Sequence, residues 1–191
     1  MTTGDGALVD RARRGDVPAF EELVRRHHEL VLRVAASAVS EAECEDVAQD
    51  AFLRAFHRLG RLRAGTPFRI WLLGIAHDAA LAAATAQRED APAPLAGEPA
   101  TAAARTPADL LERRERIERL GIKLKGLSPE HRMVLVLRDV EGLTYEEIAA
   151  TTGAPLGSVK ARLHRARREL AQALRENTYD WEIPRERSGR S

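Results

Sequence analysis

The stretch "LTYEEIAATTGAPLGSVKARLHRARREL", Leu143–Leu170, decides how this chain is read. Thr144 and Glu147 stand in the S/T-x-x-E spacing that caps a helix start, and Gly153 supplies its stop. Pro155 then breaks the chain before a second helical run. A capped helix, a short Gly/Pro turn and another helix form the signature of a helix-turn-helix. At 100° per residue, Val159, Leu163, Ala166 and Leu170 gather on one side of the second helix, with Lys160, Ala161, His164, Arg165 and Arg168 opposite. The last eleven residues carry Lys160, Arg162, Arg165, Arg167 and Arg168 against one acid, Glu169. An α-helix fits the major groove of a DNA duplex, where Lys and Arg reach guanine edges and phosphates. Arg162 and Arg167 flank the apolar stripe, placed to touch phosphate or pair with nearby acids.

Working outward, Ser128–Pro129 opens the preceding helix, "SPEHRMVLVLRDVEG", which Gly142 ends, and Thr106–Pro107 opens another. Upstream of these, "EDAPAPLAGEPATAAARTPAD", Glu89–Asp109, holds four of the nine prolines and only Leu95 as a large apolar residue. It reads as an exposed linker, because it cannot bury enough to offset its ordering entropy. A second helical block precedes it. Phe20, Leu23, Val24, His27, Leu30, Val31 and Val34 recur at helical steps. Ser40 and Glu43 form another capping box. Cys44, Val47, Ala48, Ala51, Phe52, Ala55, Phe56 and Leu59 follow as one apolar stripe, with Asp46, Gln49, Asp50 and Arg54 on the polar side. Thr66–Pro67 starts a third helix, with Phe68, Trp71, Leu72, Ile75 and Ala76 inward. The expected architecture is all-α: two small helical domains, 10–88 and 106–176, joined by a flexible Ala/Pro-rich linker at 89–105 and followed by a tail, 177–191. No stretch sustains the period-two alternation of a strand.

The bulk numbers agree. The 191 residues are 44% hydrophobic and 31% charged, with 4% aromatics, which suits an aliphatic helical core. Net charge is only +1, but residues 1–90 balance at −2 and residues 91–191 at +3, so the basic character is local. The single cysteine, Cys44, excludes an internal disulfide and a multi-cysteine zinc site. No export signal and no bilayer-length apolar run is seen, which points to a cytoplasmic protein without membrane insertion. His27–His28–Glu29 lacks the second histidine of a zincin helix, since Leu32 stands there. No metal, cofactor or catalytic constellation is expected.

The motifs carry a resemblance. "LSPEHRMVLVLRDVEGLTYEEIAATTGAPLGSVKARLHRARREL" closely resembles the −35-reading domain of the extracytoplasmic-function (ECF) sigma factors of bacterial RNA polymerase. "DVAQDAFLRAFHRLGRLRAGTPFRIWLLGIA" resembles their other domain, which binds core polymerase and opens the −10 element. The resemblance implies a non-catalytic initiation factor that binds core RNA polymerase and promoter DNA and is held in check by an anti-sigma protein. It maps −35 contacts onto Lys160, Ala161, His164 and Arg165, with Ser158 at the helix start. Arg162 and Arg168 join this DNA-binding set by their places on the helix, and Thr144 and Tyr145 lie beside them at the head of the preceding helix. Arg61, Arg63 and Arg69 become the −10 contacts, and Asp46, Gln49, Asp50 and Arg54 the face toward polymerase. The chain departs from the family in "GIAHDAALAAATAQRED". Asp78 stands where the family has an asparagine, and Arg88 is the only Lys or Arg in a stretch that is normally basic. This predicts weak or altered −10 selectivity. Two other readings stay open: a stand-alone helix-turn-helix regulator, and a sigma-like adaptor that no longer opens DNA.

Overall fold

A computed structural model describes residues 4–90, 121 and 123–175. The linker, the helix expected from Thr106 and the tail with Tyr179 and Trp181 lie outside these residues. The described chain is helical, without strands: α1 (Asp5–Arg13), α2 (Val17–Ala36), α3 (Glu41–Arg58), a 3-10 turn (Leu59–Arg61), α4 (Phe68–Asp90), α5 (Pro129–Leu135), a π-turn (Val136–Val140), α6 (Tyr145–Thr152) and α7 (Leu156–Arg175).

Most boundaries follow the caps read from sequence. The start of α2 is an exception: Asp16, a cap the sequence reading did not name, accepts from the Ala19 N–H at 3.1 Å. The Ser40 N–H donates to Glu43 at 3.3 Å in the capping box of α3. Ser128 accepts from the His131 N–H to start α5. Gly153 ends α6 with φ 65°, in the left-handed region where glycine has no Cβ penalty. The sequence reading missed α1, although Leu8, Val9 and Ala12 show helical spacing and are all buried. Arg13 fastens this helix by donating to the backbone oxygens of Leu59 and Leu62. The run after Ser128 also departs from a plain α-helix. It widens into the π-turn, where the Glu141 N–H reaches the Val136 carbonyl at 2.9 Å.

The first block packs α2, α3 and α4 on one another through Leu23, Val31, Val34, Ala51, Ala55, Leu72 and Leu73, all almost fully buried. Each such leucine contributes about 1.5–3 kcal/mol of transfer free energy. Two residues expected inside sit differently. Phe56 is 44% exposed, its ring meeting Phe20 edge-on at 5.0 Å, and Trp71 is only partly buried against Phe68. In the second block Met133, Leu137, Ile148, Val159 and Leu163 form the core under α7. Arg132 anchors the corner before α5. Its guanidinium donates to the carbonyls of Leu124, Lys125 and Leu127, satisfying a helix end that the fold would otherwise leave unpaired.

The blocks also touch. α4 lies against α6 so closely that a Cβ on Gly74 would stand 3.1 Å from the Thr151 carbonyl oxygen.

Candidate nucleic-acid interface

The stripe predicted to anchor α7 is buried: Val159, Leu163 and Ala166 are at most 1% exposed. Because a helix turns 100° per residue, this forces Ser158, Lys160, Ala161, His164, Arg165 and Arg168 outward, and all six are exposed. No acid pairs with Lys160, His164, Arg165 or Arg168 among the described residues. The lone acid of the segment, Glu169, turns away to meet His131 Nδ1 at 2.7 Å. The result is a cationic ridge on the side that the core does not use.

The flanking arginines behave differently. Arg162 pairs with Glu130 at 3.4 Å, and Arg167 donates to Asp139 at 2.5 Å. That bond holds the Arg167 guanidinium above its ordinary value and ties α7 to the π-turn. Of the two outcomes expected for this pair, the structure selects pairing with acids. Arg162, placed among the DNA contacts by its position on the helix, is here engaged with Glu130.

At the head of α6, Thr144 is exposed and caps the helix, accepting from the Glu147 N–H at 3.1 Å. The Thr144 N–H donates to the Glu147 carboxylate at 2.8 Å, and this bond holds that carboxyl below the usual glutamate range. Tyr145 is half-buried, with the Arg138 guanidinium 4.9 Å and the Lys160 ammonium 5.9 Å from its ring centre. Arg138, which sequence reasoning passed over, thus ties the π-turn to Tyr145 of α6. The ring places Lys160 beside the Thr144 cap.

In the first block Arg61 and Arg63 are exposed on the loop after α3. Arg69, grouped with them by sequence, is not free. It donates to the Glu141 carboxylate at 2.8 Å and to the Glu141 carbonyl at 3.1 Å. Beyond Ala76, the outer face of α4 offers Asp78, Ala82, Thr85 and Ala86, with Ala79, Ala80 and Ala84 inward. Arg88 has no described side chain. On α3, Asp46 and Gln49 are exposed, whereas Asp50 and Arg54 pair with each other at 2.7 Å. The four residues do share the polar side expected of them.

The remaining candidates resolve into packing. His27 meets Asp5 at 2.7 Å, and His28 meets Glu45 at 3.3 Å and stacks on Phe52. No group of three metal-ligating side chains occurs among the described residues. Burial and three neighbouring glutamates push the Cys44 thiol up, away from the reactive thiolate. No described helix is long and apolar enough to cross a membrane.

Two family patterns match this chain: sigma-70 region 2 over residues 23–89 and sigma-70 region 4 over residues 118–170. RNA polymerase sigma-H factor of Pseudomonas aeruginosa is 34% identical, over 89% of this chain and 93% of its own length. ECF RNA polymerase sigma-E factor of Escherichia coli is 31% identical, over 87% of this chain and 92% of its own. A solved structure of CnrH in complex with the cytosolic domain of CnrY aligns with TM-score 0.67 and 28% identity, over 91% of this chain and 99% of that one. The sigma factor RpoE of Bartonella quintana, solved with the anti-sigma factor NepR, shares the fold at TM-score 0.67 and 20% identity. With the cationic ridge in the region 4 match and both regions in order, this chain belongs to the sigma-70 family of bacterial RNA polymerase sigma factors, in its ECF group.

Proposed function

We propose that this sigma factor reads the −35 element with the outer face of α7: Ser158, Lys160, His164, Arg165 and Arg168, with Thr144 and Tyr145 on flanking phosphate. Arg61 and Arg63, joined by Arg69 once it leaves Glu141, engage the −10 strand. Asp46, Gln49, Asp50 and Arg54 face core polymerase. Functional boundaries follow the division 10–88, 89–105, 106–176 and 177–191. The protein is an initiation factor and not an enzyme, and it acts in the cytoplasm. An anti-sigma protein, the kind of partner with which RpoE of Bartonella quintana was solved, controls it. The observation that carries this reading is the row of cations on α7 that no described acid neutralises.

Reading both elements sets a length. Sites named for positions 35 and 10 lie about 25 base pairs apart, about 85 Å of B-form duplex. The 20 residues of α7 extend only about 30 Å. The two reading surfaces must therefore separate when both elements are occupied. In vitro transcription with purified core polymerase across a random promoter library tests the whole reading. Enrichment of paired −35 and −10 motifs is expected, and polymerase retention without motif enrichment would contradict it. The outer face of α4 favours one second reading, a polymerase-binding adaptor with impaired −10 recognition, because Asp78, Ala82 and Ala86 offer phosphate no cation. Promoter opening from a premelted but not from a closed template would mark that case.

A further inference from the structure

Helix α1 lies ahead of the residues that match sigma-70 region 2, yet it reaches both roots of the loop that carries Arg61 and Arg63. At the near root, the Arg13 guanidinium donates from Nε to the Leu59 carbonyl at 3.1 Å and from a terminal nitrogen to the Leu62 carbonyl. These two nitrogens belong to one rigid planar fork, so the two carbonyls are held in a fixed relation. Leu59 and Leu62 are 3% and 6% exposed, while Gly60 and Arg61 between them face solvent. The Leu59 carbonyl also accepts from the Leu62 N–H at 3.2 Å, which closes the 3-10 turn. At the far root, Asp5 of α1 meets His27 at 2.7 Å, and the His27 ring lies 5.3 Å from that of Phe68, the first residue of α4. Between the roots, the described backbone bonds form one turn, in which the Thr66 N–H donates to the Arg63 carbonyl at 3.2 Å with Gly65 at φ 82°.

We propose that Arg13 is a positioning residue for −10 recognition, acting on the strand through Arg61 by fixing the backbone turn from which Arg61 projects. This rests on the −10 reading of Arg61 and Arg63 given above. A side chain that grips carbonyls fixes the path of the chain and leaves the side chains of the gripped segment free. With the turn held before the strand arrives, binding does not have to order it, and less of the Arg61 contact is lost to entropy. Without Arg13, the Leu62 carbonyl turns to water, and the exposed segment from Gly60 to Gly65 samples directions in which Arg61 misses the strand. Arg13 itself has its fork engaged on the protein's own backbone, so it serves the strand at second hand.

A double-mutant cycle in the polymerase holoenzyme tests this, with anisotropy reporting the binding of a single-stranded probe that carries the −10 motif enriched from the promoter library. Arg13→Ala is expected to weaken that binding about tenfold, the scale of a pair of net hydrogen bonds. Binding of the full chain to a −35 duplex should not change. Because Arg13 acts through Arg61, Arg13→Ala with Arg61→Ala together should bind within about twofold of Arg61→Ala alone. Arg13→Lys keeps the charge without the fork and should recover the affinity only in part. Wild-type affinity in Arg13→Ala overturns the proposal. Additive losses in the double variant, or full affinity in Arg13→Lys, overturn it too, since they mark a direct phosphate contact or a general stabiliser. Hydrogen exchange of the full chain gives a readout without DNA. The Leu62 and Thr66 amides should exchange faster in Arg13→Ala while amides in the middle of α2 and α3 do not, and unchanged exchange at Leu62 denies that Arg13 holds the turn. No loss of probe binding in Arg61→Ala alone would instead count against the −10 reading and leave the exchange result standing.

Discussion

The outer faces of α7 and α4 are built on the same plan and end with opposite chemistry. Each helix buries an aliphatic stripe: Val159, Leu163 and Ala166 in one, Leu72, Ile75, Ala76 and Ala79 in the other. Opposite its stripe, α7 presents Lys160, His164, Arg165 and Arg168, whereas α4 beyond Ala76 presents Asp78, Ala82, Thr85 and Ala86. Packing therefore fixes which residues face outward without fixing what they do there. The charge on the outer face decides whether a helix can hold a polyanion, so on the proposed reading the larger share of DNA affinity is expected in the second block.

The largest effect that would break the contrast comes from α7. Replacing Lys160, Arg165 and Arg168 together by alanine is expected to remove at least about 3 kcal/mol of −35 duplex binding, more than about 100-fold. The salt slope should fall by up to about 3 in the same titration, about one for each phosphate that the variant no longer neutralises. Retained affinity would place the DNA-binding surface elsewhere. A smaller effect sharpens the contrast from the other side. Ala82→Arg supplies one cation to the bare face of α4 and is expected to strengthen binding to a single-stranded −10 probe by about 1 kcal/mol, with −35 binding unchanged. No gain would mean that this face does not approach the strand.

The smallest effect concerns the scaffold that presents the ridge. Thr144→Ala removes the α6 cap and should lower stability to urea by about 0.5–2 kcal/mol. The Glu147 carboxyl, held low chiefly by the Thr144 N–H, adds a pH signature. A depressed folded value means stability present above the ordinary glutamate value of 4.5 and lost as pH falls through the folded one. Urea titrations of wild type and Glu147→Gln should therefore converge only below that point. Parallel curves down through it would deny the bond its role.

How much of this was legible in the sequence depends on the range of the interaction involved. Caps and stripes are local, so Ser40–Glu43, Thr144–Glu147, Gly153 and the buried face of α7 could be read directly, and the outer face of α7 followed by geometry. Resemblance assigned roles to Asp46, Gln49 and Arg61 that spacing alone leaves open. Contacts over long sequence distances were not legible. Nothing near Arg69 announces Glu141, and nothing near Arg167 announces Asp139. The π-turn was missed because VLVLRDV has ordinary helical periodicity. Helix α1 was missed because its apolar residues are few, although Leu8 and Val9 are 3% and 5% exposed once α2 lies beside them.

Two neighbouring arginines give the most direct test, because they share a helix, a charge and a distance from the turn. Arg165 faces outward with no acid partner among the described residues, and Arg167 is bound to Asp139. Titrating the full chain with a −35 duplex, Arg165→Ala should cost about 1–3 kcal/mol and relax base preference, as removal of a base-reading side chain does. Arg167→Ala should leave base preference intact and change affinity far less. Equal losses in the two variants, or undiminished binding by Arg165→Ala, would contradict a ridge that reads DNA through its outward face.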